Sequence, residues 1–246
     1  MLVALDGHGT RVLATVAKRG GNYVCPACAA PVVFKHGVRI APHFAHRPTM
    51  PCQYASEPET TAHLAMKAQM YARFQTEPWV RRCELEWVIG AYRADVWLDT
   101  AVGPVALECQ VSPVAIPDLA AKLAAYTDAG VATLYLIHHS VLPSLAEGDE
   151  CRIPSWVLAL HALYRGRVYV AEDAGDLVPV HLAPVLRENE WSAEAPARRL
   201  KMTRRIRRGQ PIQGLELRSS MVACDYGALA GGTYVLATFN DHVFWT

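Results

Sequence analysis

The sequence lacks the features of membrane-spanning and secreted proteins. No run approaches the roughly 20 consecutive apolar residues that a transmembrane helix requires, and Met1–Thr10 lacks the basic and then apolar order of a signal peptide. Charged residues make up only 19% of the chain, and the formal net charge is +1. The sequence therefore predicts a cytoplasmic protein without a membrane partner, in which any nucleic-acid site depends on local clusters of charge.

The chain has no internal repeat and no low-complexity segment. Hydrophobic residues make up 52% of its 246 residues, which is enough for one core of ordinary size with smaller regions attached. Changes of pattern along the chain divide it into a strand-rich region over 1–54, a core over 55–140 and a C-terminal α+β extension over 141–246. No pattern indicates an oligomeric state.

Cysteines are uneven in their distribution, because three of the seven lie in the first quarter. An odd number with this clustering favours a metal site over a disulfide framework. The spacing of Cys25 and Cys28 lets two thiolates bind one tetrahedral ion, and His46 and Cys52 can complete the set. We therefore expect a structural Zn²⁺ in an N-terminal knuckle, with His43 as an equal alternative for the imidazole ligand. A redox role for the cysteine pair lacks the expected βαβ context.

The central region has alternating helical and strand-like patterns. Ser56 and Glu59 have the spacing of a capping box, and apolar residues then recur at helical intervals. The predicted elements are a helix over 57–75, strands over 83–89, 92–99 and 105–111, a helix over 116–129 and a buried strand over 132–137. This αβββαβ order predicts an α/β fold of the restriction-endonuclease type, with a mixed sheet flanked by helices.

Two carboxylates fall inside apolar strands, where an unpaired charge is costly to bury. They are Asp95 and Glu108. Carboxylates on neighbouring strands can share one divalent cation, and oxygen ligands suit Mg²⁺ or Mn²⁺. Such an ion stabilises the charge that develops in phosphodiester cleavage and activates an attacking water. We predict that both residues bind a catalytic ion; the alternative is a pair of structural carboxylates in salt bridges.

Other side chains on the predicted helices can reach the same place. Glu59 and His63 lie four residues apart on the first helix and Lys67 continues that face, so all three can point at the site. Lys122 and Tyr126 have the same spacing on the second helix. We predict catalytic roles for Glu59, as a metal ligand or water-holding group, and for Lys122, as a source of positive charge. His63, Lys67 and Tyr126 are predicted to support them.

The spacing of Asp95, Glu108 and Gln110 resembles the PD-(D/E)xK signature of metal-dependent nucleases, with Gln110 in place of the lysine. Alternation along a strand puts Gln110 on the same face as Glu108. A glutamine can orient a water molecule by hydrogen bonding but brings no positive charge. Lys122 and Tyr126 resemble the Gln-xxx-Tyr element of RecB-like nucleases.

A longer series of motifs over roughly residues 20–140 resembles the competence protein CoiA-like family. In chain order these are Cys25-Pro-Ala-Cys28, His43-Phe-Ala-His46, Glu59 with His63 and Lys67, Arg-Ala-Asp95-Val and Glu108-Cys-Gln-Val-Ser. The resemblance implies a bacterial protein linked to DNA uptake and recombination. It also implies a nuclease-like domain behind a zinc-finger-like start.

A cluster of seven cations without an acid lies between residues 198 and 208. The pattern predicts a basic helix over 190–209, with cations recurring every three or four residues along one side. Such a stripe can follow a phosphate backbone without reading its sequence; the alternative is a solvated helix face. The predicted DNA-binding residues are Arg198, Lys201, Arg204, Arg205 and Arg208.

These patterns favour a Mg²⁺- or Mn²⁺-dependent deoxyribonuclease, with single-stranded or branched DNA as candidate substrates. The alternative is a non-catalytic DNA-binding adaptor that keeps the nuclease fold, since the lysine of the signature is absent at Gln110. An RNA-directed or regulatory protein has no sequence feature of its own here. Cleavage by the purified protein separates the first two hypotheses.

Overall fold

The structure of the chain is a computed structural model that describes residues 1–37, 40–48, 52, 59–188, 200–214 and 216–239. The described residues divide into two units. The first unit contains Met1–Cys109 and Lys122–Leu134, and the second contains Gln110–Ala121 and the described residues from Tyr135 onward. None of the helices in this described part is long and apolar enough to cross a membrane.

The first unit begins with a small sheet of five short antiparallel strands. Its spatial order is β2-β1-β3-β4-β5. Tyr23 and Phe44 pack ring against ring at its centre, with centroids 4.9 Å apart. The core is small and includes Cys25 and Cys52, so a metal ion could add much of its stability. The strands are β1 (Val3–Leu5), β2 (Arg11–Leu13), β3 (Tyr23–Val24), β4 (Pro31–Lys35) and β5 (His43–His46).

The predicted helix and three-strand meander follow. Strand β7 pairs antiparallel with both β6 and β8, and Val96 lies opposite Leu107 in the second pairing. The register therefore brings the middle of β7 beside the middle of β8, where the two predicted carboxylates lie. The elements are α1 (Thr61–Phe74), β6 (Val80–Ile89), β7 (Tyr92–Thr100) and β8 (Gly103–Gln110).

The start of α1 differs from the prediction. Helix α1 begins at Thr61, and the hydroxyl of Thr60 caps it by accepting a hydrogen bond from the backbone N–H of His63, at 3.2 Å. A capping hydroxyl satisfies one of the free N–H groups of the first turn. Glu59 therefore precedes the helix, and Ser56 lies outside the described residues.

Strand β6 is irregular at Glu86, which has a backbone φ of +54°. This left-handed conformation is uncommon for residues other than glycine. It interrupts the alternation of the strand, so that Leu85 and Glu86 are both buried. A buried carboxylate needs charged or hydrogen-bonding partners. One partner of Glu86 is Lys67, which also lies near Asp95 in the candidate site.

The next two elements agree with the sequence prediction. Helix α2 spans Ile116–Asp128 and strand β9 spans Ala132–His138. Gly130 links them with a φ of +70°, a conformation that glycine adopts without a steric cost. The order αβββαβ is thus present along the chain.

In the second unit, β9 pairs in parallel with β11, and β11 pairs antiparallel with β12. The coexistence of both pairings confirms the predicted mixed α/β fold class. Helix α3 (Ser155–Leu163) lies before β11 in the sequence. The remaining strands are β10 (Glu150–Cys151), β11 (Val168–Ala171), β12 (Leu177–Glu188), β13 (Leu200–Arg208), β14 (Leu217–Ala223) and β15 (Thr233–Phe239).

The prediction of a basic helix was wrong for residues 200–208, which form β13. This strand pairs antiparallel with β12 at nine positions, and Ile206 is fully buried. Lysine and arginine are good helix formers, but the ladder of backbone hydrogen bonds and the burial of Ile206 outweigh that local preference. In a strand, successive side chains point to opposite faces, so Arg205 and Arg208 do not share one stripe. Arg198 lies outside the described residues.

Candidate functional site

Three cysteines and one histidine converge in the N-terminal part of the first unit. One ligand atom from each of Cys25, Cys28, His46 and Cys52 lies within 4.8 Å of all the others, and Cys28 Sγ is 3.3 Å from His46 Nε2. The two cysteines of the pair lie in the turn between β3 and β4, and His46 ends β5. His43, the alternative imidazole, lies outside this group and has its Nδ1 2.9 Å from the carbonyl oxygen of Ala41.

The donor set of this group fits a structural zinc ion. Three sulfur atoms and one ring nitrogen are a common tetrahedral set for Zn²⁺. Burial raises the pKa of the Cys25 thiol to about 11, so a bound cation would have to stabilise the thiolate form. Burial, together with the positive charge of Arg93, lowers the pKa of His46, which keeps the imidazole neutral and able to bind a metal.

Asp95 lies on β7 among groups that favour its ionised form. Its Oδ2 accepts a hydrogen bond from the backbone N–H of Cys109 at 2.9 Å and lies 3.1 Å from His63 Nε2. Its Oδ1 is 3.8 Å from Lys67 Nζ. Burial raises the pKa of Asp95, but the charge and hydrogen bond of His63, followed by Lys67, outweigh burial and lower it overall. Oδ1 is beyond hydrogen-bond distance of this lysine.

Glu108, the second carboxylate, lies on β8 and is only 3% exposed. Tyr126 Oη donates a hydrogen bond to its Oε1 at 2.8 Å, and Lys122 forms an ion pair with its Oε2. Both partners come from one side of α2, as the four-residue spacing predicted. Burial raises the pKa of Glu108, and the negative charge of Asp95 adds to the effect. The two carboxylates thus have pKa values shifted in opposite directions, which is typical of paired acids with different roles.

Glu59 reaches the same surroundings without being helical. It forms an ion pair with Lys67, and Arg93 Nη2 lies 3.6 Å from its Oε1. The prediction that it lies on α1 was wrong, because the helix starts two residues later at the Thr60 cap. His63 and Lys67 do project from α1 toward Asp95.

Gln110 is the last residue of β8. Its side-chain nitrogen donates a hydrogen bond to the carbonyl oxygen of Ser112 at 2.6 Å. The amide is therefore oriented by the chain that follows the strand. Nothing in this contact supplies the positive charge that a lysine would bring.

The sequence analysis did not identify Glu86, which is fully buried. Its carboxylate accepts hydrogen bonds from the backbone N–H groups of Leu2 and Val3, at 2.9 and 3.1 Å, and from Lys67 Nζ, at 2.7 Å. Glu86 thus joins β1 to the lysine that lies beside Asp95. The signal was present in the sequence, because Glu86 also sits among apolar strand residues, as the other two carboxylates do.

Two tryptophans on neighbouring strands stack against each other. Trp87 of β6 and Trp97 of β7 have ring centroids 5.2 Å apart and planes 24° apart. The guanidinium of Arg82 lies 5.0 and 5.9 Å from these two ring centroids, and both rings are partly exposed. Aromatic and arginine surfaces of this kind can stack with nucleic-acid bases.

The arginines of β13 have acidic partners within the second unit. Arg205 forms an ion pair with Glu150, with 2.6 Å between nitrogen and oxygen. Arg208 forms a bidentate ion pair with Glu172, with nitrogen–oxygen distances of 2.7 and 2.9 Å. Arg204 donates a hydrogen bond from its Nη1 to the backbone carbonyl oxygen of Leu182 at 3.4 Å. Lys201 also lies on β13. The positive charge of Arg205 and Arg208, two of the predicted DNA-binding residues, is therefore partly neutralised within the chain.

Two family models match the chain in succession. The model described as competence protein CoiA, N-terminal domain, matches residues 6–55, and the model described as competence protein CoiA, nuclease-like domain, matches residues 59–148. Competence protein CoiA of Bacillus subtilis (strain 168) is 27% identical over 181 residues, which are 70% of this chain and 47% of that protein. The chain thus spans about half the length of this curated relative. No solved structure matches it.

Proposed function

Because the chain belongs to the competence protein CoiA-like family, we propose that it hydrolyses phosphodiester bonds of DNA at a divalent-cation site formed by Asp95 and Glu108. The observation that carries this proposal is that the buried Glu108 and the largely buried Asp95, which is 14% exposed, lie on paired strands with Lys122, Tyr126 and His63 as partners. Buried charges are normally paired, and carboxylates with shifted pKa values in one group favour a functional site.

The available oxygen atoms support binding of Mg²⁺ or Mn²⁺. An ionised carboxylate has about four lone-pair positions, and Tyr126 and Lys122 occupy only one position on each oxygen of Glu108. Oδ1 of Asp95 likewise has lone-pair positions that could bind a cation. A bound ion would polarise the phosphate and lower the pKa of an attacking water.

Each neighbouring group has a role that follows from its contacts. Lys122 can release Glu108 when a cation binds there and then stabilise the negative charge of the phosphate, in place of the lysine that is absent at position 110. His63 and the N–H of Cys109 hold Asp95 in one orientation. Gln110 orients groups by hydrogen bonding alone, and Glu59 acts through Lys67.

The N-terminal cysteine and histidine group supports a structural zinc ion. Its ligands come from the turn between β3 and β4, the end of β5 and Cys52, so one ion would connect segments whose shared core is small. We infer that zinc stabilises this region rather than taking part in hydrolysis, because four protein ligands leave no open position.

DNA is the proposed substrate, and the stacked Trp87 and Trp97 favour a single-stranded form. Unpaired bases can stack on exposed aromatic rings, whereas paired bases cannot reach them. The arginines of β13 are a further proposed contact with phosphates, weakened by their pairing with Glu150 and Glu172.

The test is cleavage of labelled single-stranded, double-stranded and branched DNA with Mg²⁺, Mn²⁺ or EDTA. We expect cleavage with either ion and none with EDTA. Asp95→Asn and Glu108→Gln, which keep the shape of each side chain, should each abolish cleavage. Asp99→Asn is the matched control on the same strand, because Asp99 is paired with an exposed arginine and should retain activity.

The competing function is a DNA-binding adaptor, favoured by Gln110 in place of the lysine. If the wild-type protein binds DNA but cleaves none of the three forms with either ion, the adaptor replaces the nuclease. Gln110→Lys then distinguishes a weakened enzyme from a non-catalytic fold, because a restored cation should produce cleavage only in the former.

A further inference from the structure

A second group of metal-binding side chains lies in the second unit, apart from both sites described above. It consists of His138, His139 and Asp173, and one ligand atom from each lies within 4.8 Å of the others. His138 ends β9, and His139 begins the short 3₁₀ turn that follows it. Asp173 lies two residues beyond the end of β11, in the turn before β12.

The sheet topology explains why these residues meet. Strands β9 and β11 are parallel neighbours, and His138 lies opposite Ala171 at their carboxyl ends. The segments that follow β9 and β11 therefore leave the sheet at the same edge, the carboxyl ends of the strands, which is where ligand sites form in parallel sheets. The histidine pair and Asp173 are therefore brought together by the fold, although they are more than 30 residues apart in sequence.

The distances within the group suit one small cation. Asp173 Oδ1 is 2.9 Å from His139 Nε2 and 3.8 Å from His138 Nε2. Two ligand atoms on a tetrahedral zinc ion, with bonds of about 2.0–2.1 Å, lie roughly 3.3 Å apart. The two observed distances lie on either side of this value, and all three ligand atoms lie within 4.8 Å of one another, so small movements of the side chains would bring them to the spacing that one ion requires.

A fourth residue supports the orientation of the first ligand. His138 Nδ1 lies 2.7 Å from Ser140 Oγ and 3.2 Å from the backbone nitrogen of Ser140. In the structure Nδ1 accepts a hydrogen bond from the Ser140 N–H. Metal binding at Nε2 requires the tautomer with the proton on Nδ1, which the hydroxyl oxygen of Ser140 is close enough to accept. Metal-binding histidines usually have such a partner for their second nitrogen.

We propose that His138, His139 and Asp173 form a second transition-metal site, selective for zinc-like ions and distinct from the Cys/His group. Two imidazoles and one carboxylate are a ligand set typical of Zn²⁺, and imidazole disfavours Mg²⁺. Three protein ligands leave a coordination position for water or another small ligand. The partly exposed histidines and exposed Asp173 make the ion exchangeable.

The experiment uses the full chain with its first zinc ion in place and titrates it with ZnCl₂ in a calorimeter. The expected result is one further equivalent of bound zinc. His139→Ala and Asp173→Asn should abolish this second binding event, and Ser140→Ala should weaken it about 10- to 100-fold. Asp225→Asn, an exposed carboxylate elsewhere in the same unit, is the control and should bind as the wild type does.

Cobalt identifies the ligands of the second ion. Co²⁺ bound at this site should give weak visible bands without the strong near-ultraviolet absorption that thiolate ligands cause, and Cys28→Ser should leave these bands unchanged. Thermal unfolding checks that each variant is folded, and added zinc should raise the Tm of the wild type but not of Asp173→Asn. The proposal is overturned if no second equivalent binds, or if His139→Ala and Asp173→Asn bind it with unchanged affinity. It does not depend on whether the protein cleaves DNA.

Discussion

Replacement of Lys67 by methionine should destabilise the first unit strongly. The Lys67 side chain is fully buried, its Nζ lies 2.7 Å from Glu86 Oε1, and the Glu86 side chain is fully buried as well. Lys67→Met leaves the Glu86 carboxylate with only the N–H groups of Leu2 and Val3 as described hydrogen-bond donors. Removing one partner of a buried ion pair costs about 3–5 kcal/mol, so we expect the free energy of unfolding to fall by that amount.

The size of the effect follows from burial rather than from the contact alone. The pair between Arg81 and Asp99 has a similar distance, 2.7 Å, but its side chains are 63% and 37% exposed. Exposed pairs contribute about 0–1 kcal/mol because water screens their charges. Arg81→Met is therefore the matched control, and it should change stability little.

A double variant tests the physical reason. Lys67→Met with Glu86→Gln removes both charges and keeps a side-chain oxygen that can accept a hydrogen bond from the backbone N–H of Leu2 or Val3. It should therefore be more stable than Lys67→Met alone. The coupling between the two substitutions is expected to reach about 1–3 kcal/mol. If the two effects simply add, or if Lys67→Met costs less than about 1 kcal/mol, the buried pair does not exist as described.

The assay is denaturation in urea, followed both by circular dichroism and by tryptophan fluorescence. Two probes are needed because the chain has two units, and only coincident transitions permit a single free energy of unfolding. Comparison of midpoints is valid if the slope of free energy against urea concentration is unchanged.

The pH dependence gives an independent check on Glu86. Burial raises the pKa of Glu86, but Lys67 and the other nearby positive charges outweigh burial and lower it below the ordinary value for a glutamate. A carboxylate with a lowered pKa in the folded state contributes stability that is present above the unfolded value and is lost as pH falls toward the folded value. The stability difference between the wild type and Glu86→Gln should therefore be constant above about pH 5 and shrink below about pH 4.5.

Three further outcomes are expected. At metal concentrations below saturation, cleavage by the wild type should decline on the acid side at a higher pH than an ordinary glutamate would cause. The reason is that burial raises the pKa of Glu108 in the metal-free site and metal binding needs its ionised form. A decline near pH 4 in a pH–rate profile under these conditions would contradict this. Cys28→Ser should lower the zinc content of the purified protein by one ion per chain, measured by elemental analysis against Cys151→Ser as the control. Trp87→Leu should weaken binding of single-stranded DNA more than that of duplex DNA in fluorescence anisotropy, and equal loss for both would remove the stacking role.

The sequence by itself determined much of the fold. Apolar periodicity, turn residues and the order of elements predicted α1, the strands β6 to β8, α2 and β9, because these segments bury one face or both and their local preferences agree with the fold. The sequence also identified Asp95 and Glu108 as candidate site residues, because burying a carboxylate in an apolar strand without a partner costs free energy. The clustering of cysteines and histidines similarly predicted a metal site.

Only the tertiary structure decided which groups meet. His46 rather than His43 joins the cysteines, because both lie on β5 but only one projects toward the turn of Cys25 and Cys28. The basic segment became β13, because pairing with β12 outweighed the helical preference of its lysine and arginines. Arg205 and Arg208 then pair with Glu150 of β10 and with Glu172, which follows β11.

Glu86 is a further residue of the candidate site whose contacts the sequence alone did not predict. Its sequence context marks a buried carboxylate, but nothing local predicts its left-handed backbone or its bonds to Leu2 and Val3. Those contacts join residues more than 80 positions apart. Side-chain spacing within one element is set by the geometry of a helix or strand, whereas contact between elements depends on how the whole chain packs.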